Sequence, residues 1–447
     1  MNRNPFPADP VATYGVPTIK TCDSLNTVSS ARKELVGYLS AYAKADTRYG
    51  GIVALAGAHG SGKTHLLLYL HETCRTLTSF RIGCVYVKPD TPGLFSVYRG
   101  AIEAIGRIGI IQLLDTARRE LAKRESERTH ITESISTRID QTTDLNVLIN
   151  DNTVDADAIE NALDAALHSS GVPSDTIEAL KLCESSSGEK AFQWLLGSDV
   201  PDLETLGLSR LLRQTESTVS GASSEDSVAI DGLSLLALLH RVAGSPFVVL
   251  IDQFDVLLPR AVEEKLSYPA ITTFMETMKR QMSLVIIAGS EAAWRRLPPD
   301  VPPRVRGRAL LKVGALTRDE IGLLVDALMD TRRTLEDNTL AALDELTGGN
   351  PREVLAISHQ LYEKTSGNMN SATADDVTKS GLRSGTVVER ARLARSLTDE
   401  IISDYGRISR DAALPDGGIV DRVVRQKDRV VVAILLVQAS DSIDETT

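Results

Sequence analysis

The sequence lacks the residues and runs that mark several classes of protein. Its four cysteines stand without the paired spacing of a zinc site, so we expect free, reduced thiols at Cys22, Cys74, Cys84 and Cys183. No stretch approaches the roughly twenty consecutive apolar residues that a membrane helix requires. The first ten residues also lack the basic start and apolar run of a secretion signal. We therefore expect a cytoplasmic protein with no membrane contact.

Positive charge is in deficit, since the formal net charge is -11. This balance argues against a chain that coats nucleic acid by bulk attraction, because affinity for phosphate backbones comes from clusters of Lys and Arg. Arginine is nevertheless dense in 304–318 and in 383–395. DNA therefore stays a candidate partner through local patches.

The 447 residues are too many for one ordinary core and predict two or three domains. Four short apolar runs are typical of buried parallel strands: 51–56, 82–88, 247–251 and 284–288. Helical patterns precede or follow these runs. This alternation predicts an α/β fold whose core is a parallel sheet with flanking helices.

Composition and periodicity divide the chain into successive regions. We predict an α/β core that is interrupted by a helical insertion and followed by a helical lid and a small α+β region. The insertion is interpreted as a solvated helical subdomain rather than an independent catalytic domain, because it contains no catalytic constellation. The predicted ranges are an amino-terminal arm (1–24), the core (25–108 and 245–315), the insertion (109–244), the lid (316–380) and the carboxyl-terminal helix and β-hairpin region (381–447).

A phosphate-binding loop follows the first predicted strand. The pattern GxxxxGK[ST] is complete and lies between a strand and a helix, as the motif requires; its residues are Gly57, Ala58, His59, Gly60, Ser61, Gly62, Lys63 and Thr64. Its glycines let backbone N–H groups point at phosphate oxygens, and the helix terminus adds partial positive charge. We expect Lys63 to reach the phosphates of ATP and the Thr64 hydroxyl to bind Mg²⁺, while His59 occupies a variable position.

A second strand, 247–251, ends in an acidic residue. This position lets the Asp252 carboxylate hold the water shell of the magnesium ion beside Thr64. Many hydrolytic P-loop enzymes carry a glutamate directly after this aspartate, but here the residue is Gln253, which cannot accept a proton. Loss of a general base costs about a hundred- to ten-thousandfold in rate, so we expect slow ATP hydrolysis. Asp255 is either a substitute base or a turn residue.

These motifs resemble the AAA+ P-loop ATPases of the origin-recognition type and the related STAND switch ATPases. The resemblance implies that Ser290, after the strand 284–288, lies at the first sensor position, where it contacts the γ-phosphate or its water. It also implies that Arg308, with Arg304 and Arg306 as alternatives, is an arginine finger that acts in a neighbouring subunit. Arg352 would then be the second sensor, at the start of a lid helix.

The last residues do not show the winged helix that an origin-recognition protein would have. We predict a helix over Val388–Tyr405 and a β-hairpin formed by Gly418–Val424 and Arg429–Val437. This arrangement faintly resembles a restriction-type nuclease core without its acidic and lysine ligands, so a docking domain is favoured.

Three functions follow from these patterns and stay open. The first is an AAA+ ATPase that assembles, as a homo-oligomer or hetero-complex, through a trans arginine and regulates a DNA or protein complex. The second is a STAND-type signalling switch, and the third is a non-hydrolysing scaffold that recruits an effector nuclease. Prokaryotic antiviral defence systems contain relatives of all three, which is an analogy rather than a derivation.

Overall fold

The computed structural model describes most of the chain, in two compact units. One unit consists of 12–314 and the other of 1–11 with 315–447. The described residues are 4–7, 26–44, 50–76, 82–128, 139, 155–201, 203–208, 212, 224–258, 267–297, 310–329, 334–383, 407–413, 419–426 and 429–434.

The first unit is built on a parallel five-stranded sheet. Its strands are β1 (Gly51–Gly57), β2 (Gly83–Val87), β3 (Phe247–Ile251), β4 (Leu284–Gly289) and β5 (Leu310–Val313), in the order β2-β3-β4-β1-β5. Every residue of β3 and β4 is buried, which explains their continuous apolar sequences, because helices cover both faces of such sheets. The predicted α/β class is confirmed.

Helices connect these strands and flank the sheet. The helices that flank the sheet are α1 (Asn26–Lys44), α2 (Lys63–Thr76), α3 (Phe95–Arg128), α7 (Ser224–Val242), α8 (Ser267–Arg280) and α9 (Glu291–Arg296). Among the described residues of the predicted insertion, three shorter helices are α4 (Ala156–His168), α5 (Ser174–Leu182) and α6 (Gly188–Leu195).

The predicted insertion is continuous with the core at both of its ends. Helix α3 does not stop near residue 108 but bends at Gly106, where φ is 68°, and continues to Arg128. Helix α7 is buried along nearly its whole length and shares one apolar core with β3 and with α3. The last helix of the insertion is therefore a core helix, packed between the sheet and its neighbours.

The middle of the insertion packs on the second half of α3 through apolar residues and charged contacts. Arg118 Nε donates to Glu160 at 2.5 Å, and both its terminal nitrogens donate to the Glu184 carboxylate at 2.5 and 2.7 Å. Arg107 Nε donates to the Cys183 carbonyl at 2.9 Å. These bonds tie α3 to the segments around α4 and α5.

The second unit contains the predicted lid helices and a small sheet. The helices are α10 (Arg318–Met329), α11 (Asp337–Thr347), α12 (Pro351–Lys364) and α13 (Ala374–Arg383). The sheet is antiparallel, with β6 (Arg407–Ala413), β7 (Ile419–Gln426) and β8 (Arg429–Ile434). Strands β7 and β8 form the predicted hairpin, whereas β6 was not predicted. The predicted helix at 388–405 lies outside the described residues.

A short amino-terminal segment packs on α12. Phe6 is 1% exposed and meets Tyr362 edge to face at 6.2 Å. Asn4 Nδ2 donates to the His359 carbonyl at 3.2 Å, and the Phe6 carbonyl lies 2.9 Å from His359 Nδ1. Within the described parts of both units, no helix combines the length and the apolar character needed to cross a membrane.

The contact between α7 and α3 generates a first prediction. A Cβ added at Gly232 would lie 2.3 Å from Cε2 of the buried Tyr98, so Gly232→Ala should lower the free energy of unfolding by about 1–3 kcal/mol through overpacking. Gly37→Ala, in α1, is the matched control because its Cβ would meet nothing within 4 Å. It should raise stability by about 0.5–1 kcal/mol. Urea unfolding followed by circular dichroism measures both, and a gain at both positions would contradict this packing.

Candidate functional site

The phosphate loop lies at the carboxyl end of β1, and its backbone requires glycine. Gly60 and Gly62 have φ of 80° and 100°, a region that side chains disfavour. A Cβ at Gly57 would lie 2.6 Å from Ser61 Oγ and 2.7 Å from the Val313 carbonyl. The loop therefore curls tightly between β1, β5 and the first turn of α2.

Lys63, the first residue of α2, holds its charge inside this loop. Its Nζ donates to the Gly57 carbonyl at 2.8 Å and to the Ala58 carbonyl at 2.7 Å. The ammonium group and the amino terminus of a fourteen-residue helix thus face the same small volume, where both favour an anion. His59 is exposed at the outer side of the loop.

Asp252, directly after β3, accepts hydrogen bonds from three donors. Its Oδ2 accepts from the Thr64 hydroxyl at 2.7 Å and from the Tyr86 hydroxyl at 2.9 Å, while Oδ1 accepts from the Gln253 N–H at 2.9 Å. Asp252 is only 1% exposed, so these bonds replace most of its hydration. The structure thus brings together the two residues that the sequence predicted as metal ligands.

Tyr86 is a site residue that the sequence analysis missed. It lies in β2, whose parallel register places Tyr86 beside Leu250 and Val87 beside Ile251, one residue before Asp252. Burial, then the charge of Asp252 and the hydrogen bond to it, raise the pKa of the phenol. The hydroxyl therefore stays protonated and donates to the carboxylate. Its only sequence signal was a polar aromatic residue near the end of a strand.

Gln253 follows the carboxylate in an unusual backbone conformation. Its φ and ψ are 54° and 49°, the left-handed region that non-glycine residues rarely adopt, and its side chain is exposed. The chain then turns through a short 3₁₀ segment, Phe254–Val256, in which Phe254 is buried and stacks on Trp294 at 4.9 Å. The amide of Gln253 thus projects from a turn that is held by aromatic packing.

Ser290 and Asp255 are bonded to each other. Asp255 accepts from the Ser290 N–H at 3.0 Å through one oxygen and from the Ser290 hydroxyl through the other. Ser290 Oγ also accepts from the Ala293 N–H at 3.0 Å, which makes it the cap of α9. These contacts are those of a turn residue at Asp255, the second of the two interpretations left open.

The arginines predicted as the trans finger and the second sensor stay predictions. Arg308, Arg304 and Arg306 lie outside the described residues. Arg352 belongs to the second unit, in the first turn of α12, where its N–H donates to Asn350 Oδ1 at 3.1 Å. Gly348 and Gly349, just before it, have positive φ and close the preceding helix.

The bond between Asp255 and Ser290 generates a second prediction, a double-mutant cycle. Asp255→Ala and Ser290→Ala should each lower thermal stability, and the double variant should lose less than the sum by about 1 kcal/mol or more, because each single change strands the other partner. Asp90→Ala with Arg99→Ala, an exposed pair at 2.6 Å, is the control and should couple by less. Additive losses at Asp255 and Ser290 would show that the bond contributes no coupling.

Comparison with known proteins gives structural neighbours but no sequence relatives. No family model matches the chain, and no curated protein matches it. It is similar to Cdc6p from Pyrobaculum aerophilum, with 13% identity, a TM-score of 0.42 and coverage of 80% of this chain and 66% of that one, slightly less than two thirds of its length.

Two further solved structures are similar. Orc1 of Aeropyrum pernix in complex with DNA has 13% identity, a TM-score of 0.40 and coverage of 85% of this chain and 73% of that one. Drosophila ORC bound to DNA has 10% identity, a TM-score of 0.35 and coverage of 85% and 70%. With TM-scores below 0.5, the similarity does not extend to function. These structural neighbours are AAA+ ATPases of the origin-recognition type, the family that the sequence motifs resemble.

Proposed function

We propose that this chain is an ATP-binding, slowly hydrolysing AAA+ ATPase that uses nucleotide-dependent assembly to regulate a DNA or protein complex. The observation that carries the proposal is the bond of 2.7 Å between the Thr64 hydroxyl and Asp252, beside the charge that Lys63 holds in the phosphate loop. A hydroxyl from the loop helix and a carboxylate from a neighbouring strand are the oxygen donors that a nucleotide-bound Mg²⁺ requires.

The residues present fit ATP and Mg²⁺. Ser61 Oγ is buried and has no hydrogen-bond partner among the described residues, which suits a loop that accepts phosphate. Lys63 would bind the β- and γ-phosphates, and the N–H groups of Gly60 and Gly62 would complete the cradle. Thr64 and Asp252 would hold Mg²⁺, which would neutralise part of the negative charge of the phosphates.

Slow hydrolysis follows from the surroundings of Asp252. The residue after it is Gln253, which can orient water but cannot accept its proton. The next carboxylate along the chain, Asp255, is engaged by the N–H and the hydroxyl of Ser290. Neither Gln253 nor Asp255, the two candidate positions for a general base, therefore provides a free base to activate water.

The proposed assembly of subunits depends on two arginines, Arg308 and Arg352. Arg308 would act on the nucleotide of a neighbouring subunit, and Arg352 would sense the γ-phosphate within its own chain, with Ser290 beside the attacking water. Such contacts would let ATP stabilise the assembled state, because the γ-phosphate would be bonded from both subunits.

The support for DNA as a partner comes from the carboxyl-terminal sheet. Its register sets Arg407 opposite Arg425 and Arg410 opposite Arg422 on adjacent strands. The sequence thus sets four arginines on two adjacent strands, and local clusters of Lys and Arg provide affinity for the phosphate backbone of nucleic acid. The proposed DNA contact is therefore electrostatic and should weaken with added salt.

The second candidate is a switch or scaffold in which bound nucleotide is retained rather than turned over. The specific observation that favours it is the exposed, left-handed Gln253 in place of a glutamate. A STAND-type signalling switch or a scaffold for an effector nuclease would both use such retention.

Tyr86 provides a prediction on the metal site. Tyr86→Phe removes one of the two bonds to Asp252 Oδ2, so the carboxylate should be held less well and affinity for Mg²⁺-ATP should fall by roughly 3- to 10-fold, the loss of about one hydrogen bond. Affinity measured in EDTA should not change, since the metal is then absent. Fluorescent ATP titrations with and without Mg²⁺ measure both. Tyr69→Phe, on α2, is the matched control, and an equal loss in EDTA would contradict the assignment.

The function itself is tested by hydrolysis and by assembly mass. Gln253→Glu should raise the hydrolysis rate by roughly 10-fold or more, because a general base is restored. Lys63→Ala should abolish nucleotide binding, and with it any ATP-dependent change in mass. Phosphate release and light scattering, each with ATP, ADP and no nucleotide, give the two readouts.

Arg308→Ala separates the two candidate functions in the same experiment. Loss of ATP-dependent assembly with nucleotide binding retained supports the trans arginine. An assembly mass that is the same with ATP, with ADP and in every variant would overturn the regulated assembly, and a hydrolysis rate that Gln253→Glu leaves unchanged would overturn the role of Gln253.

A further inference from the structure

A cavity of about 270 Å³ lies at the end of the sheet opposite the phosphate loop. Its walls come from α1, α3, α7 and the turns that lead into β3 and β4. One wall is Phe247, the first residue of β3, whereas Asp252 follows the last residue of that strand. They are five residue steps apart, roughly 16 Å at about 3.3 Å per residue. The cavity is therefore distinct from the nucleotide site. The lining residues used below are Tyr42, Arg124, Arg241, Phe247, Gln281 and Met282.

The apolar part of the cavity has a fixed shape. The Tyr42 hydroxyl donates to the Met282 carbonyl at 2.5 Å and accepts from the Phe247 N–H at 3.2 Å, so one side chain holds both turns. Phe247 is stacked from behind by the buried His240, with ring centroids 4.6 Å apart. Met282 has φ of 57°, a strained value for a residue with a side chain, and the residue is 42% exposed. The cavity is thus preformed.

Gln281 lines this cavity and carries a buried acceptor. Its residue is only 8% exposed, and its Nε2 donates to Ser234 Oγ at 2.9 Å. Its Oε1 is buried and has no hydrogen-bond partner among the residues that the structure describes. Buried acceptors are nearly always bonded, so the lone acceptor of this lining residue indicates a donor supplied from outside the chain.

The same cavity carries an excess of positive charge. Arg124 and Arg241 line it, and both are exposed. Arg124 Nη2 donates to the Val242 carbonyl at 3.4 Å, and neither arginine forms an ion pair with a carboxylate of the described residues. Glu120, which approaches the cavity near Gly244, is paired with Lys123 at 2.9 Å. Two guanidinium groups therefore remain to bind an anion.

We propose that this cavity is a second binding site, for a small amphipathic anion. The apolar body of the ligand lies against Phe247 and Met282, and its carboxylate, sulfonate or phosphate group binds Arg124 and Arg241. A donor of the ligand bonds Gln281 Oε1. The size of the cavity restricts the ligand to a small molecule, since ligand sites usually measure about 300–1,000 Å³.

The test uses the full chain and a pair of dyes that differ in charge. Anilinonaphthalene sulfonate combines an aromatic body, an N–H donor and an anionic group, and phenylnaphthylamine is its neutral counterpart. We expect the anionic dye to bind with saturation, and Arg124→Ala and Arg241→Ala to weaken it by about 10-fold or more, as the loss of a charge-assisted bond implies. Lys190→Ala, an exposed lysine of α6, is the matched control and should leave the affinity unchanged.

Two further measurements test the role of Gln281 and the separation of this cavity from the nucleotide site. Gln281→Leu should weaken the anionic dye, while saturating Mg²⁺-ATP should not displace it. Equal affinity in the parent and both arginine variants, equal binding of the neutral dye, or displacement by ATP would each overturn the proposal. Because Arg124 and Arg241 are exposed, their variants keep the test valid even if Gln281→Leu does not fold.

Discussion

Asp252 carries a negative charge at a position that water hardly reaches, and the candidate site is arranged around that constraint. A buried carboxylate is costly unless donors replace its hydration. Here the donors are Thr64 from the loop helix, Tyr86 from β2 and the N–H of Gln253. Because Thr64 and Tyr86 come from separate elements, the carboxylate fixes the position of α2 relative to β2 and β3. The geometry of the loop therefore depends on the same bonds that satisfy the buried carboxylate of Asp252.

The parallel order of the strands explains why these donors meet. Strands β1 and β3 both end at the same edge of the sheet, with β4 between them. Polar residues that follow successive strands consequently gather along one edge, as Ser290 does after β4. The opposite edge contains the starts of the strands, where Tyr42 joins the turns before β3 and β4. The residues of the candidate site and the packing contacts of Tyr42 thus lie at opposite ends of the strands.

Local signals in the sequence predicted the loop, the acidic strand end and the α/β class. They depend on glycine conformation and on continuous apolar runs, which neighbouring residues determine. Tyr86 could not be predicted in the same way, because its contact with Asp252 depends on the register of two strands that are separated by more than 150 residues along the chain. The place of α7 in the core was missed for a related reason, since its burial arises from α3 and the sheet. The pairing of Asp255 with Ser290 likewise joins two strand ends.

The segment at Asn4–Pro7 has a consequence for the synthesis of the protein. Phe6 is almost fully buried against α12, and Asn4 is bonded to His359, a sequence separation of 355 residues. A ribosome that adds about 5–20 residues per second needs roughly 20 to 70 s to cover that distance. During that interval the side chain of Phe6 lacks the helix on which it packs in the native structure, whereas the helices of the first unit can already pack. The lid helices would thus acquire this apolar contact from a segment that is synthesised long before them.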